Sequence, residues 1–267
     1  MASIISEDIR FHLRIRNGDI GRYVILPGDP ARVPLIAEHL ENAEQVAVNR
    51  EYNIYTGYLD GVKVSVCSTG IGGPSAAIAA EELIQSGADT LIRVGTSGGI
   101  NLKVVGGDLL VASAAVRSEG TSREYIPDGY PAVADFEVVR ALKEAGDELS
   151  TDEDGNRCHV GVVQSKDNFY GEIDPNSTAV AARLSEAWEG YVRCGCLTSE
   201  MEAAALFSVA LLRGVRAGAV LTALWNVERT NAGLPDKSCD SSERAIKCAI
   251  GAIKRLIRRD GGVNSSL

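Results

Sequence analysis

The sequence predicts an α/β fold in which helices sandwich a mixed central sheet, and three observations carry that prediction. Apolar, β-rich runs alternate with runs of helical period along the 267 residues. Several of the strand runs, TLIRVG and AGAVLTALW among them, are continuously apolar rather than alternating, as expected of strands covered on both faces. No internal repeat, low-complexity tract or Pro- or Ser-rich linker divides the chain. Residues 1–267 therefore read as a single domain, with a core over about 11–259 and a frayed tail over 260–267.

The first strand is YVILPG, residues 23–28, and a helix through RVPLIAEHL follows it. Two strands over 43–48 and 51–59 come next, and Asp60-Gly61 marks a hairpin into the strand VKVSVCST. The helix over 74–86 has Pro74 at its start, where no N–H is needed, and Gly87 just past its end, where left-handed backbone is common. Strands are expected at 90–95, 108–116, 159–165 and 217–225, and helices at 134–147, 177–189, 199–213 and 240–259. Because helices separate many of these strands, the sheet is expected to be largely parallel.

Charge excludes some partners. With 27 Lys and Arg against 36 Asp and Glu the net charge is −9, whereas nucleic-acid binding draws on clustered cations. The one dense basic stretch, Lys254-Arg255 with Arg258-Arg259, reads as cations in the last turn of a helix. No apolar run reaches the ~18 residues of a membrane span, and MASIISEDIRFHLRIRN lacks the apolar segment of a signal peptide, so a cytoplasmic location is expected. The six cysteines mostly lie in apolar patterns and read as core thiols. Cys194-Gly-Cys196 and Cys158-His159 lack the second ligand pair of a zinc site, so no metal is expected.

Ligands of such sheets bind beyond the carboxyl ends of the strands. Four segments there stand out: Pro27-Gly28-Asp29-Pro30-Ala31-Arg32, Ser68-Thr69-Gly70-Ile71-Gly72-Gly73-Pro74, Thr96-Ser97-Gly98-Gly99 after Arg93, and Ser199-Glu200-Met201-Glu202. Glycine turns aim backbone N–H groups at an anion and a nearby arginine adds a bidentate clamp, so two such loops with Arg32 and Arg93 look like a phosphate site. Arg93 lies within an apolar strand, where its burial requires either a bound anion or a buried carboxylate partner. Glu202 has two readings as well, a functional carboxylate or the second half of a Ser199-x-x-Glu202 capping box. Gly95-Thr96-Ser97-Gly98-Gly99 matches the G-x-S-x-G elbow of serine esterases, with His159 as a later base, but a loop follows where that elbow needs a helix. Dinucleotide and ATP motifs are missing. A non-catalytic nucleoside-binding protein on the same fold is a further alternative.

Taken together and in order, PGDPARV, CSTGIGGPS, LIRVGTSGGI, PAVADFE, SKDNFYG and SEMEAAALF resemble the nucleoside phosphorylase superfamily of the purine and uridine type, nearest its uridine phosphorylase branch, from about residue 11 to about 258. The resemblance implies a single α/β sandwich with a partly barrel-like central sheet, assembled from dimers into a hexamer. It implies reversible phosphorolysis of uridine, or of a related nucleoside, to free base and ribose 1-phosphate. Phosphate is then a co-substrate and no cofactor is needed, although some relatives hold a monovalent cation where Glu51 and Ser75 stand here.

The same resemblance assigns residues. Gly28, Arg32, Arg93 and Thr96 match phosphate contacts, and Arg50 matches an arginine that reaches into a neighbouring subunit's phosphate site. Met201 and Glu202 match the residues on the ribose hydroxyls, and His12 a histidine lent to the 5′-hydroxyl by a neighbour. Ser97, Gly98, Phe169 and Arg229 fall on the base side. Arg93 and Glu202 are then the catalytic pair, since positioning phosphate and stabilising charge are the main tasks of this chemistry. The run Phe169-Tyr170-Gly171-Glu172-Ile173 departs from the Gln-x-Arg that reads uracil in many relatives. Lys166 is expected to replace the arginine, and Glu172 stands where glutamine is expected. Its charge, partly offset by Lys166, is expected to disfavour a uracil anion and to suit the N1–H of a 6-oxopurine, which keeps inosine and guanosine as alternative substrates. Asn226 stands near the place where purine-specific relatives carry an acid, which disfavours adenine nucleosides and hydrolysis.

Overall fold

Tyr23–Pro27 forms β1, buried throughout, and its alternate residues divide between two cores: Val24 and Leu26 face one, Tyr23 and Ile25 the other. The computed structural model describes residues 9–150 and 155–263. The rest of the N-terminal segment and of the expected tail lies outside the described residues. A turn leads from β1 into α1 (Arg32–Ala37), and β2 (Glu41–Asn49) and β3 (Tyr52–Leu59) form a hairpin. Asp60 and Gly61 then take φ of 48° and 75°, the left-handed pair that a tight hairpin needs, and return the chain as β4 (Val62–Cys67).

The remaining elements are α2 (Gly73–Gln85), β5 (Thr90–Gly99), β6 (Leu109–Ser118), the two-residue β7 (Ala132–Val133), α3 (Phe136–Glu148), β8 (Cys158–Lys166), α4 (Phe169–Ile173), α5 (Ala181–Arg193), β9 (Thr198–Glu200), α6 (Ala203–Arg213), β10 (Arg216–Asn226), α7 (Val227–Asn231) and α8 (Glu243–Val263). The ten strands form one sheet, nine of them in the order β10-β6-β8-β9-β5-β1-β4-β3-β2 and β7 pairing with β6. β5 is its branch point: it pairs in parallel with both β1 and β10, and its last residues, Gly98 and Gly99, pair antiparallel with Ser199 and Thr198 of β9. Since β10 also pairs with β6, the strands β5-β10-β6-β8-β9 close on themselves, leaving β1-β4-β3-β2 as an open wing. The expected single α/β domain with a partly barrel-like sheet is thus present. Helices α2 and α6 cover one side through Leu83, Leu206 and Phe207, while α1, α3 and α8 cover the other through Val33, Leu142 and Ile253.

Four expectations are corrected. Among the described residues five strand pairings are parallel and five antiparallel, so the sheet is evenly mixed rather than largely parallel. The short β7 and β9, too brief to leave a sequence pattern, contribute two of the antiparallel pairs. The helix expected from residue 199 begins at Ala203, because residues 198–200 are drawn into the barrel as β9. The tail expected to fray from 260 stays helical to Val263, since Asp260 accepts hydrogen bonds from the Tyr23 hydroxyl (2.5 Å) and Arg216 Nη2 (2.6 Å). Lys254, Arg255, Arg258 and Arg259 consequently lie inside α8 rather than in its last turn, and Arg255 and Arg259 pair with Glu144 of α3 at 3.6 and 2.6 Å.

Candidate active site

The site begins where β1 ends. Thr69 N–H donates to the Pro27 carbonyl and Gly70 N–H to that of Gly28, both at 2.9 Å, which lays the loop after β4 alongside the turn after β1. Asp29 organises that turn, its Oδ1 accepting from Ala31 N–H (2.9 Å) and its carbonyl from Arg32 N–H (3.1 Å). Arg32 is half-buried. Burial lowers its pKa, Asp29 opposes that effect, and the positive charge of Arg93 adds to it, so two guanidiniums share one electrostatic environment.

Arg93, on β5, is 5% exposed. Its Nε donates to Glu200 Oε2 at 3.0 Å and its Nη2 pairs with Glu202 Oε2 at 2.5 Å. Its buried Nη1 has no partner. Burial alone would lower the Arg93 pKa, but the Glu202 and Glu200 charges outweigh it and the net direction is upward. Of the two readings of Arg93, the carboxylate partner is the one present: Glu200 and Glu202 hold it, and its Nη1 takes no hydrogen bond from any described residue. Gly95 permits this arrangement, because a Cβ there would lie 2.8 Å from Arg93 Nη2.

Glu202 is not a capping-box partner. Ser199 lies in β9 and Glu202 itself precedes the first turn of α6, where its side chain makes no cap bond. Its Oε1 accepts from Gly72 N–H (2.6 Å) at the start of α2, where the helix dipole favours a carboxylate. Gly72 has φ 93°, a backbone that points its N–H into the site and suits glycine. Burial raises the Glu202 pKa, opposed by the Arg93 charge. The cap role passes to Glu200, which the sequence reading missed: its carboxylate accepts from the N–H groups of Glu202 (2.8 Å) and Ala203 (3.0 Å), and from the Ser165 hydroxyl. Two acidic residues flanking Met201, with an arginine in a neighbouring apolar strand, were the signal for it.

On the other face of β9, Ser199 meets a second cluster. Lys166 Nζ donates to Glu172 Oε1 (2.7 Å) and to Ser199 Oγ, while Ser199 Oγ lies 2.6 Å from Gln164 Oε1 and 2.5 Å from Glu172 Oε1. Lys166 Nζ also sits 5.6 Å from the Phe169 ring centroid.

These groups surround one cavity of about 1030 Å³. Gly28, Arg32, Arg93 and Thr96 line it, as do Met201 and Glu202. Ser97, Gly98, Lys166, Phe169 and Glu172 line its remaining wall. Trp188 and Glu228, which the sequence reading did not single out, complete the wall from α5 and α7, joined by a 2.8 Å hydrogen bond from Trp188 Nε1 to Glu228 Oε1.

Three predicted residues stand elsewhere. His12 is held by Glu82, its Nδ1 2.7 Å from Oε1, and does not line this cavity. Arg50 is exposed in the β2–β3 turn at φ 55°, also outside it. Arg229, placed on the base side by resemblance, instead donates to the carbonyls of Pro235 (2.6 and 2.8 Å) and Leu102, fastening two loops. Asn226 is wholly buried and caps α7, accepting from Glu228 and Arg229 N–H and donating to the Asn101 and Val104 carbonyls, so it is structural. The esterase alternative fails on geometry: Ser97 lies within β5, its Oγ facing the Thr222 carbonyl at 3.5 Å, while His159 pairs with Asp108 at the start of β8. Glu51 and Ser75 are hydrogen-bonded to each other at 2.8 Å. No cluster of three or more His, Cys, Asp or Glu suited to a metal occurs among the described residues.

Known proteins share this arrangement of sequence. The profile of the Phosphorylase superfamily matches residues 22–258. The uridine phosphorylase of Treponema pallidum (strain Nichols) is 48% identical over 260 residues, covering 97% of this chain and 99% of its own. The uridine phosphorylase of Thermococcus kodakarensis is 46% identical over 222 residues, 82% of this chain and 78% of its own. The guanosine phosphorylase of Halorubrum lacusprofundi is 39% identical over 252 residues, 92% and 98% of the two chains. A cavity built around one buried arginine and two carboxylates, within a sequence matched along most of its length, makes this chain a member of the phosphorylase superfamily.

Proposed function

We propose that this protein is a pentosyltransferase of the uridine phosphorylase kind, converting uridine and phosphate reversibly to uracil and ribose 1-phosphate. The observation that carries the reading is Arg93: a buried guanidinium held by two carboxylates, with its Nη1 unpartnered, in a residue that lines the same cavity as Arg32 and the Gly28 turn. Phosphate placed there meets two cations, and the pre-set charges need no rearrangement as it attacks. A phosphate oxygen bonds to C1′, the C1′–N bond breaks with its electron pair going to the base, and the base is then protonated. Met201 and Glu202 line the same cavity, and the ribose is assigned to them.

His12 and Arg50 lie outside the cavity of their own chain, which supports a shared site completed by a neighbour in a dimer and, by further pairing, a hexamer. A monovalent cation near Glu51 and Ser75 belongs to the same reading. Six free thiols fit a reducing, cytoplasmic setting, and no helix among the described residues is long and apolar enough to cross a membrane. Inosine or guanosine in place of uridine is the second reading, favoured by the Glu172 carboxylate in the cavity wall.

The test incubates the protein with nucleoside, with and without phosphate, and measures free base and ribose 1-phosphate. Base release that depends on phosphate is expected. Release without phosphate, or none in either case, would overturn the reading.

A further inference from the structure

We propose that Glu82, a buried carboxylate of α2, is a positioning residue of the shared site: it fixes His12 so that the ring nitrogen Nε2 is left for the sugar 5′-hydroxyl of a nucleoside bound in a neighbouring subunit. The inference rests on the shared-site reading of His12 and Arg50 and deepens it. The other buried residues of α2 are glycine, alanine and Leu83, and a carboxylate among them is costly unless donors meet it. No lysine or arginine among the described residues pairs with Glu82. Its ion-pair partner is His12, whose Nδ1 lies 2.7 Å from Oε1. The backbone N–H of His12 donates to both carboxylate oxygens at 3.0 Å, and that of Leu13 to Oε2 at 2.7 Å. Among the described residues, every hydrogen bond to this carboxylate thus comes from His12 or the residue after it.

The consequence falls on the imidazole. A carboxylate can only accept, so Nδ1 carries the hydrogen and Nε2 is the nitrogen left for an outside hydroxyl. Nε2 takes no hydrogen bond from any described residue, and the His12 side chain is 29% exposed where that of Glu82 is 11%. The Phe11 ring meets the imidazole edge to face with centroids 4.8 Å apart, and Leu13, wholly buried, anchors the chain on the other side. Asn49 Nδ2 donates to the His12 carbonyl at 2.6 Å, which sets His12 close to Arg50. The residue after Arg50, Glu51, lines the cavity of its own chain. His12 and Arg50 therefore stand together near that cavity's rim, on a face that a two-fold neighbour can meet with its own. An imidazole ordered before the substrate arrives loses no rotamer freedom on binding, and one hydroxyl contact to such a ring is worth about tenfold.

The experiment measures kcat/KM at saturating phosphate for uridine and 5′-deoxyuridine, which differ only in the hydroxyl assigned to His12. The wild type is expected to prefer uridine about tenfold, and His12→Ala to abolish that preference. Glu82→Ala is expected to lower uridine about tenfold and to leave 5′-deoxyuridine within about twofold, with the phosphate KM unaltered; added to His12→Ala it should cost nothing further, since both act through one contact. A merely structural Glu82 would lower both nucleosides alike. That result, or a uridine preference that survives Glu82→Ala, overturns the inference. Should Glu82→Ala fail to fold by thermal unfolding, Glu82→Gln serves: its single amide oxygen cannot accept from the backbone N–H groups and the ring together, and the uridine preference should fall about threefold or more. An unchanged preference in that variant overturns the inference as well. A preference absent from the wild type, or one that survives His12→Ala, would instead remove the role of His12 in the shared site, and the inference with it. Loss of all phosphate-dependent cleavage in the wild type would remove the phosphorolysis reading itself.

Discussion

Arg93, Glu200 and Glu202 form a buried triad with two negative charges and one positive, and their roles separate by what each touches. Glu200 is enclosed by protein donors, so Glu200→Ala strips the start of α6 of its acceptor and leaves Arg93 half-compensated. A loss of about 3–5 kcal/mol is expected, measurable by denaturant unfolding. Arg93→Met removes a guanidinium from the residues that line the cavity, and kcat/KM for phosphate should fall about 10²-fold or more. An unchanged phosphate dependence in the folded variant would contradict the phosphate role. Burial lifts the Glu202 carboxyl above the usual carboxylate range, against the pull of Arg93. If its ionised form holds the ribose, activity is lost as pH falls through that raised value. The acid limb of kcat/KM should then lie above the ordinary carboxylate range and vanish in Glu202→Gln, whose residual rate stays flat.

At the scale of elements, the parts over the cavity are the lightly buried ones. Helices α5 and α7 contribute no fully buried residue, yet the Trp188–Glu228 hydrogen bond joins them across the cavity wall. Trp188→Phe keeps an aromatic ring and removes the N–H; the nucleoside KM should rise about three- to tenfold with kcat nearly unchanged, because uniform binding is lost. A kcat that falls as far as KM rises would refute this division. The far end of α8 is tied differently. Tyr23 is pushed up to about 12 by burial and by its hydrogen bond to Asp260. The stability contributed by the neutral phenol is fully present below its ordinary pKa and is lost as pH rises through about 12. Asp260→Ala should cost about 1–3 kcal/mol and return the phenol toward its ordinary value, read by tyrosine absorbance against pH.

At the scale of the whole molecule, β5 decides where chemistry occurs. Its branching between the wing and the closed barrel brings the ends of β1, β8, β9 and β10 around one cavity. His12 and Arg50 remain outside, and sharing between chains makes a direct prediction. Arg50→Ala and Arg93→Met, each inactive alone, should regain about a quarter of wild-type activity when unfolded and refolded together, since half the dimers are mixed and each has one intact site. No recovery in verified mixed oligomers would show that each chain completes its own site.

Much of this was legible in the sequence because it is local. Strand and helix positions follow from apolar period, the hairpin at Asp60-Gly61 from left-handed backbone, and Arg93 announces itself as a charge in an apolar strand. The motifs placed Gly28, Arg32, Thr96, Met201, Lys166, Phe169 and Glu172, all of which line the cavity. What the sequence left open depended on pairing between distant segments. A three-residue strand such as β9 has no period to read, and it exists because the barrel closes on it; its presence turns an apparent capping box into a carboxylate aimed at Arg93. Arg229, assigned to the base by position, and Asn226, noted near the place of an acid in purine-specific relatives, were claimed by loop carbonyls and a helix start, since a polar group bonds to whatever the fold sets beside it. The sequence by itself determined which charged residues had to find partners; only the tertiary structure decided which partners they found, because burial strengthens a contact only between groups that the closed sheet has already brought within reach.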